Sequence, residues 1–80
     1  TNEHLFNAYP NPFKTELTVS LNKPVLFSKY RLFSLEGVLI KEGVNSESNF
    51  TIETSNLKSG VYILELSSDS QKAVKMLVRD

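Results

Sequence analysis

The sequence predicts a single all-β domain, an immunoglobulin-like β-sandwich of about seven antiparallel strands with no helix of note. Three observations predict it. Apolar residues recur with period two through nearly the whole chain, turn residues break that pattern at regular spacing, and no helical stripe of 3.6-residue period runs beyond two turns. A short first strand is expected around Leu5 to Ala8. Leu17, Val19 and Leu21 alternate with Thr18 and Ser20, as in a strand with one face buried. Tyr30 and Leu32 alternate with Lys29 and Arg31. Phe50, Ile52 and Thr54 alternate with Thr51 and Glu53. Tyr62, Leu64 and Leu66 share one face while Val61, Ile63 and Glu65 share the other, so this strand is apolar on both sides near its start and reads as central. Val74, Met76 and Val78 alternate with Lys75, Leu77 and Arg79 in a terminal strand.

The intervening stretches carry turn chemistry. Asn22-Lys23-Pro24 closes the second run. Leu35-Glu36-Gly37 is a tight turn in which Gly37 is free to take positive φ. Gly43 to Asn49 reads as a polar loop, Leu57-Lys58-Ser59-Gly60 as a second turn, and Ser67 to Ser70 as a short loop. All three glycines, Gly37, Gly43 and Gly60, are thus placed in turns. The cysteine pair and tryptophan of antibody domains are missing, so the inference reaches the architecture only.

Composition narrows the function classes. With 80 residues the chain forms one domain with a thin core, since a domain this small buries only about two-thirds of its unfolded surface. Nine basic residues balance nine acidic ones, which argues against nucleic acid and anionic membranes as partners. No apolar run approaches the roughly 20 residues that span a bilayer, so direct membrane insertion is not expected. The polar start, Thr1-Asn2-Glu3-His4, is unlike a leader peptide, and any leader is expected upstream. Residues 1–4 read as the end of a linker from an upstream domain, and residues 5–80 as the domain itself.

Catalytic chemistry finds little to work with. There is no cysteine, hence no thiolate nucleophile or soft metal ligand. His4 is the single histidine and sits in a polar tail, where no carboxylate can orient it for a Ser-His-Asp site and too few partners exist for zinc. The carboxylates are scattered, and a paired-carboxylate site needs a cleft that a domain of this size is not expected to build. No glycine-rich phosphate loop is present. Asn49-Phe50-Thr51 fits a glycosylation sequon, which carries weight only in a eukaryotic secretory route. No enzyme activity, cofactor or metal is expected. The eight aromatics leave open a glycan-stacking platform, although in a thin sandwich most aromatics are core.

The motif that stands out is Tyr9-Pro10-Asn11-Pro12-Phe13. Each proline fixes its own φ near −65° and restricts the residue before it. The segment is expected to form a stiff extended elbow, with Tyr9 and Phe13 anchored on the core and the Asn11 side chain bonded to its own nearby backbone.

With three further motifs in order, this segment resembles the C-terminal sorting domain of proteins exported by the type IX (Por) secretion system, type A. Tyr9-Pro10-Asn11-Pro12-Phe13 is followed by the alternating Leu17 to Leu21. Then come Tyr30 to Phe33 with the turn glycine Gly37, a Leu-x-x-Gly-x-Tyr element at Leu57 to Tyr62, and a lysine-spaced apolar strand from Lys72 to Arg79. The resemblance covers roughly residues 5 to 79. The chain departs from the pattern at Ser34, Val38 and the terminal Asp80.

The resemblance implies a secretion signal recognised by the type IX translocon and its shuttle proteins. The upstream cargo of the same precursor would pass through the periplasm in transit to the cell surface or medium. A sortase-like cysteine peptidase would cut upstream of the domain in many family members and anchor the cargo. The expected reading surface is Gln71 to Arg79 with the Gly60-Val61-Tyr62 turn, and within it Gly60, Val61, Tyr62, Lys72, Val74, Lys75, Leu77, Val78 and Arg79. There the terminal strand would offer a free edge, with Lys72, Lys75 and Arg79 projecting at one end. Tyr9 to Phe13, with Gly37, are assigned to folding. The alternative is an immunoglobulin-like accessory module that binds a glycan or protein at the cell surface; an exposed row of aromatics on one sheet would favour it.

Overall fold

The computed structural model describes residues 6–21, 29–44, 47–69 and 72–80. The expectations placed on residues 1–4, Leu5, the Asn22-Lys23-Pro24 turn, Ser70 and Gln71 lie outside the described residues. Among the described residues there are seven strands: β1 (Phe6–Tyr9), β2 (Glu16–Leu21), β3 (Lys29–Ser34), β4 (Leu39–Val44), β5 (Asn49–Glu53), β6 (Gly60–Ser67) and β7 (Lys72–Arg79). All their pairings are antiparallel. They form a three-stranded sheet ordered β1-β2-β5 and a four-stranded sheet ordered β4-β3-β6-β7.

The period-two pattern explains the core. Phe6, Leu17, Val19, Leu21 and Ile52 face inward from the first sheet, and Leu32, Tyr62, Leu64, Leu66, Ala73 and Leu77 from the second; all are buried. Phe13, in the link between β1 and β2, joins them with no exposed surface. The two-sided apolarity of β6 matches its place, since it pairs with β3 on one side and β7 on the other. Gly37 takes φ 90° in the β3–β4 turn, as its sequence position suggests.

β4 is the strand that alternation does not locate. Its face pattern is blurred because it lies at a sheet edge and is largely exposed, and because a register shift at Leu32/Phe33 breaks its phase against β3. Gly43, expected in a loop, therefore lies inside a strand, opposite Tyr30. A Cβ at Gly43 would stand 2.6 Å from Tyr30 Cε2, and the Tyr30 ring is itself stacked on Phe50 at 5.5 Å. The ring covers the glycine backbone and packs where a side chain would. Gly43→Ala should cost about 1–3 kcal/mol through overpacking. A urea midpoint unchanged from wild type would show that the ring moves freely.

Two expectations about the proline segment are corrected. Tyr9 is 50% exposed and does not anchor on the core. Residues 10–12 bend instead of running extended, and both Tyr9-Pro10 and Asn11-Pro12 are cis.

Candidate recognition surface

At one end of the sandwich, three segments distant in sequence are tied together. Phe13 bridges in parallel to Arg79: its N–H donates to Val78 O at 2.8 Å, and its carbonyl accepts from Asp80 N–H at 2.8 Å. Asn11 Oδ1 accepts from Val78 N–H at 3.0 Å. This is the correction for Asn11: its partner is 67 residues away, not its own turn. The β5–β6 corner completes the tie. The Thr54 N–H donates to Thr15 O and its hydroxyl to Lys14 O, both at 2.9 Å. Arg79 donates from Nε to Thr54 O at 3.3 Å and from Nη2 to Ser55 O at 3.4 Å. At the same corner the Ser55 hydroxyl and then its N–H donate to the Glu53 carboxylate. These bonds, aided by the charge of Lys41 against a small opposing effect of burial, hold Glu53 below the usual carboxylate range. Its stabilisation is thus present above the ordinary carboxyl value and is lost as pH falls through the lowered folded value.

Asn11→Ala removes the side-chain acceptor for Val78 N–H. It should lower stability by about 0.5–1.5 kcal/mol, and Asn11→Asp, which keeps an acceptor, should restore it. Equal melting temperatures for the alanine variant and wild type would dismiss this bond as a contributor.

The outer face of the four-stranded sheet divides into two halves. Toward one end Arg31, Glu42, Glu65 and Lys72 form ion pairs at 3.5–3.9 Å. Toward the other the face is apolar. Phe33 pairs with Ile63 and Ile63 with Met76, while Val61 pairs with Val78. Val74, Met76 and Val78 are 46%, 61% and 42% exposed. Beside Val61 a cleft of about 670 Å³ opens between the β3–β4 turn and the β5–β6 loop, lined by Ser34, Ile40, Leu57 and Tyr62 among others. The sequence did not lead one to expect a cleft here. Among the described residues lining it Glu36 is the one carboxylate, so they supply no carboxylate pair.

A family model described as the secretion system C-terminal sorting domain matches residues 7–79. The chain belongs to this family. The domain is therefore the C-terminal secretion signal of the type IX system. Over 65 residues it is 34% identical to ulvan lyase NLR42 of Nonlabens ulvanivorans; the match covers 80% of this chain and 12% of the lyase. The sorting domain thus corresponds to a small part of that protein. The fold matches the crystal structure of a duf3244 family protein with an immunoglobulin-like β-sandwich fold from Bacteroides vulgatus ATCC 8482. The TM-score is 0.80 at 15% identity, over 99% of this chain and 88% of the other.

The residues expected to be read in the sorting domain separate into three groups. Tyr62 and Leu77 are 7% and 1% exposed and belong to the core; the Tyr62 hydroxyl donates to Lys58 O at 2.7 Å. Lys75 and Arg79 are engaged within the fold. Lys75 Nζ donates to Phe6 O at 3.3 Å and lies 5.3 Å from the centre of the Phe6 ring, and Arg79 holds the Thr54 corner. Val61, Lys72, Val74 and Val78 lie on the outer face of β6 and β7, while Gly60 pairs with the inward-facing Arg79 at the end of the ladder. Lys72 and Arg79 sit at opposite ends of the β6–β7 ladder, opposite Ser67 and Gly60, so the three cations do not project at one end. Met76, inside the expected stretch but not singled out, and Ile63, not expected there, complete the apolar tract. The signal was present in the alternation of Val74, Met76 and Val78, which does not by itself say which face is buried. Among the described aromatics Tyr9 is the exposed one, and no row of them forms on either sheet.

Proposed function

We propose that the translocon reads the sorting domain on the outer face of β6 and β7. Val61, Val74, Met76 and Val78 form the apolar centre, with Lys72 at one end. The observation that carries this reading is the uncovered apolar tract itself. A contiguous apolar patch on a small domain marks an interaction site, and a charge-poor centre with a polar rim has the anatomy of a protein interface. In this reading residues 1–4 end a linker from the upstream cargo. The precursor crosses the periplasm and is met by the translocon and its shuttle proteins. A sortase-like cysteine peptidase then cuts upstream of the domain, leaving the cargo at the surface or in the medium. The domain acts as signal and substrate and not as catalyst.

The test is export of a fluorescent reporter fused ahead of the domain, in a host carrying the type IX machinery, with a translocon-disabled strain as control. Met76→Glu with Val78→Glu places two charges on exposed positions, each expected to change stability by no more than about 0.5 kcal/mol. Export should fall about tenfold or more, equivalent to about 1.4 kcal/mol of binding. Wild-type export of the double variant would remove this face from the reading.

A further inference from the structure

The apolar tract on the outer face is too small to hold a partner by itself. The pairs Leu39–Phe33, Phe33–Ile63 and Ile63–Met76 set one apolar row across all four strands, and Val61–Val78 adds a shorter row beside it. Strands about 4.8 Å apart and a rise of about 3.4 Å per residue make the tract about 14 Å wide and about 7 Å from row to row. A specific, stable interface covers about 800 Å² on each partner. A reader of this face must therefore gain contact beyond it. On one side lies the ion-paired half, where burial would desolvate charges that are already matched. On the other side lies the cleft of about 670 Å³, and Val61 belongs to the tract and to the cleft wall alike.

The cleft is held in shape by the domain's own bonds. In its β3–β4 wall the Ser34 N–H donates to Val38 O and the Gly37 N–H to Ser34 O, both at 2.9 Å, and the Val38 N–H donates to Ser34 Oγ at 3.2 Å. In its β5–β6 wall the Leu57 N–H donates to Thr54 O at 3.1 Å and the Tyr62 hydroxyl to Lys58 O at 2.7 Å, with Leu57 packed on the core. A preformed pocket loses little conformational freedom on binding. Leu35 and Ile40 line it and are 57% and 38% exposed. Among the described lining residues the two charged ones, Glu36 and Lys58, balance each other, so the lining favours no ionic ligand. Tyr62 is the aromatic among them, and at 7% exposure it offers no open ring face for a sugar to stack on. The occupant that fits is convex, uncharged and apolar at its tip.

We infer that this cleft is the anchor pocket of the recognition surface and takes the tip of a loop from a partner protein, with a large aliphatic or aromatic side chain at its apex. A few such anchors in desolvated pockets carry most of the binding energy of an interface, and the flatter contacts around them exclude water. The outer tract has that second role. This inference rests on the reading of the outer face given above and names the kind of partner that reads it.

The reporter export assay tests it with variants that leave residues 60–80 unchanged. Ser59→Trp fills the cleft from its exposed rim; the chain has no other tryptophan, so blue-shifted emission from the purified domain reports that the indole lies inside. Leu35→Ser with Ile40→Ser strips the apolar wall instead. Val38→Ser is the control, since Val38 is 58% exposed on the same turn and does not line the cleft. All these positions are exposed, so melting temperatures should stay at the wild-type value. Export should fall about tenfold or more for the filled and the stripped domains, the loss expected at an anchor site, and should be unchanged for Val38→Ser. Wild-type export from the stripped domain, with the Met76→Glu, Val78→Glu variant retained in the periplasm, would overturn the anchor pocket and leave the outer-face reading standing. Wild-type export from both would defeat that reading and the inference with it. An equal loss from Val38→Ser would assign the effect to the exposed turn and not to the cleft, and would also overturn the pocket.

Discussion

Phe13→Ala should leave the sorting domain largely unfolded at growth temperature. Phe13 has no exposed surface, its ring lies 6.1 Å from that of Tyr62, and its backbone bonds hold Val78 and Asp80. Truncating a buried phenylalanine costs about 3–5 kcal/mol. A core of this size rarely supplies more than about 3–5 kcal/mol in all. The two figures are comparable, so one substitution removes most of the stability. The melting temperature should fall by at least about 12 °C, taking about 4 °C per kcal/mol for a domain of this length. Phe13→Leu keeps an apolar side chain in the site and should lose much less. The effect would distinguish Phe13 from its motif neighbour Tyr9, whose ring is half exposed and whose truncation should be close to neutral. A Phe13→Ala domain that melts within a few degrees of wild type would mean that the link between β1 and β2 is not what closes the sandwich.

Much of this architecture was legible because period-two alternation is a direct consequence of a strand with one buried face. Leu17, Val19 and Leu21 point inward in β2, and the doubly apolar start of β6 reflects its central place. β4 was not legible, since an edge strand exposed on most positions has no apolar face to alternate. Gly43 misled for a related reason. Glycine in a sequence suggests a turn, and the role of this one depends on the Tyr30 ring, which only the β3–β4 register brings over it. The proline motif was legible as a distinct segment, but its bend and its partner were not. The bond from Val78 to Asn11 spans 67 residues, and no local rule connects them. The reading surface expected on β6 and β7 mixes the two faces of those strands. In β7 both alternating sets are rich in apolar or amphipathic residues, so the pattern alone does not choose between Val74, Met76 and Val78 and the set containing Lys75, Leu77 and Arg79. The choice is made by Phe6, which receives Lys75, and by the Thr54 corner, which receives Arg79.

Deleting Lys75 to Asp80 should abolish export, with the loss of the fold as its cause. The deletion removes the buried Leu77, the bridge to Phe13 and the Arg79 bonds to Thr54 and Ser55. It also strips β6 of its partner from Gly60 to Leu64, so a central strand becomes an open edge. Losing Leu77 alone is worth about 2–5 kcal/mol, which again approaches the whole stability of such a domain. The truncated domain should show no cooperative melting transition, while the upstream reporter stays folded and fluorescent. A cooperative transition near the wild-type temperature would refute this account of β7. The truncation therefore cannot identify reading residues by itself, because it destroys the surface and the scaffold together. The Met76→Glu, Val78→Glu variant separates them. If it folds and is not exported, the outer face is read and the truncation fails for two reasons. If it folds and is exported, the truncation fails only because the sandwich is gone, and recognition belongs to another face of the folded domain.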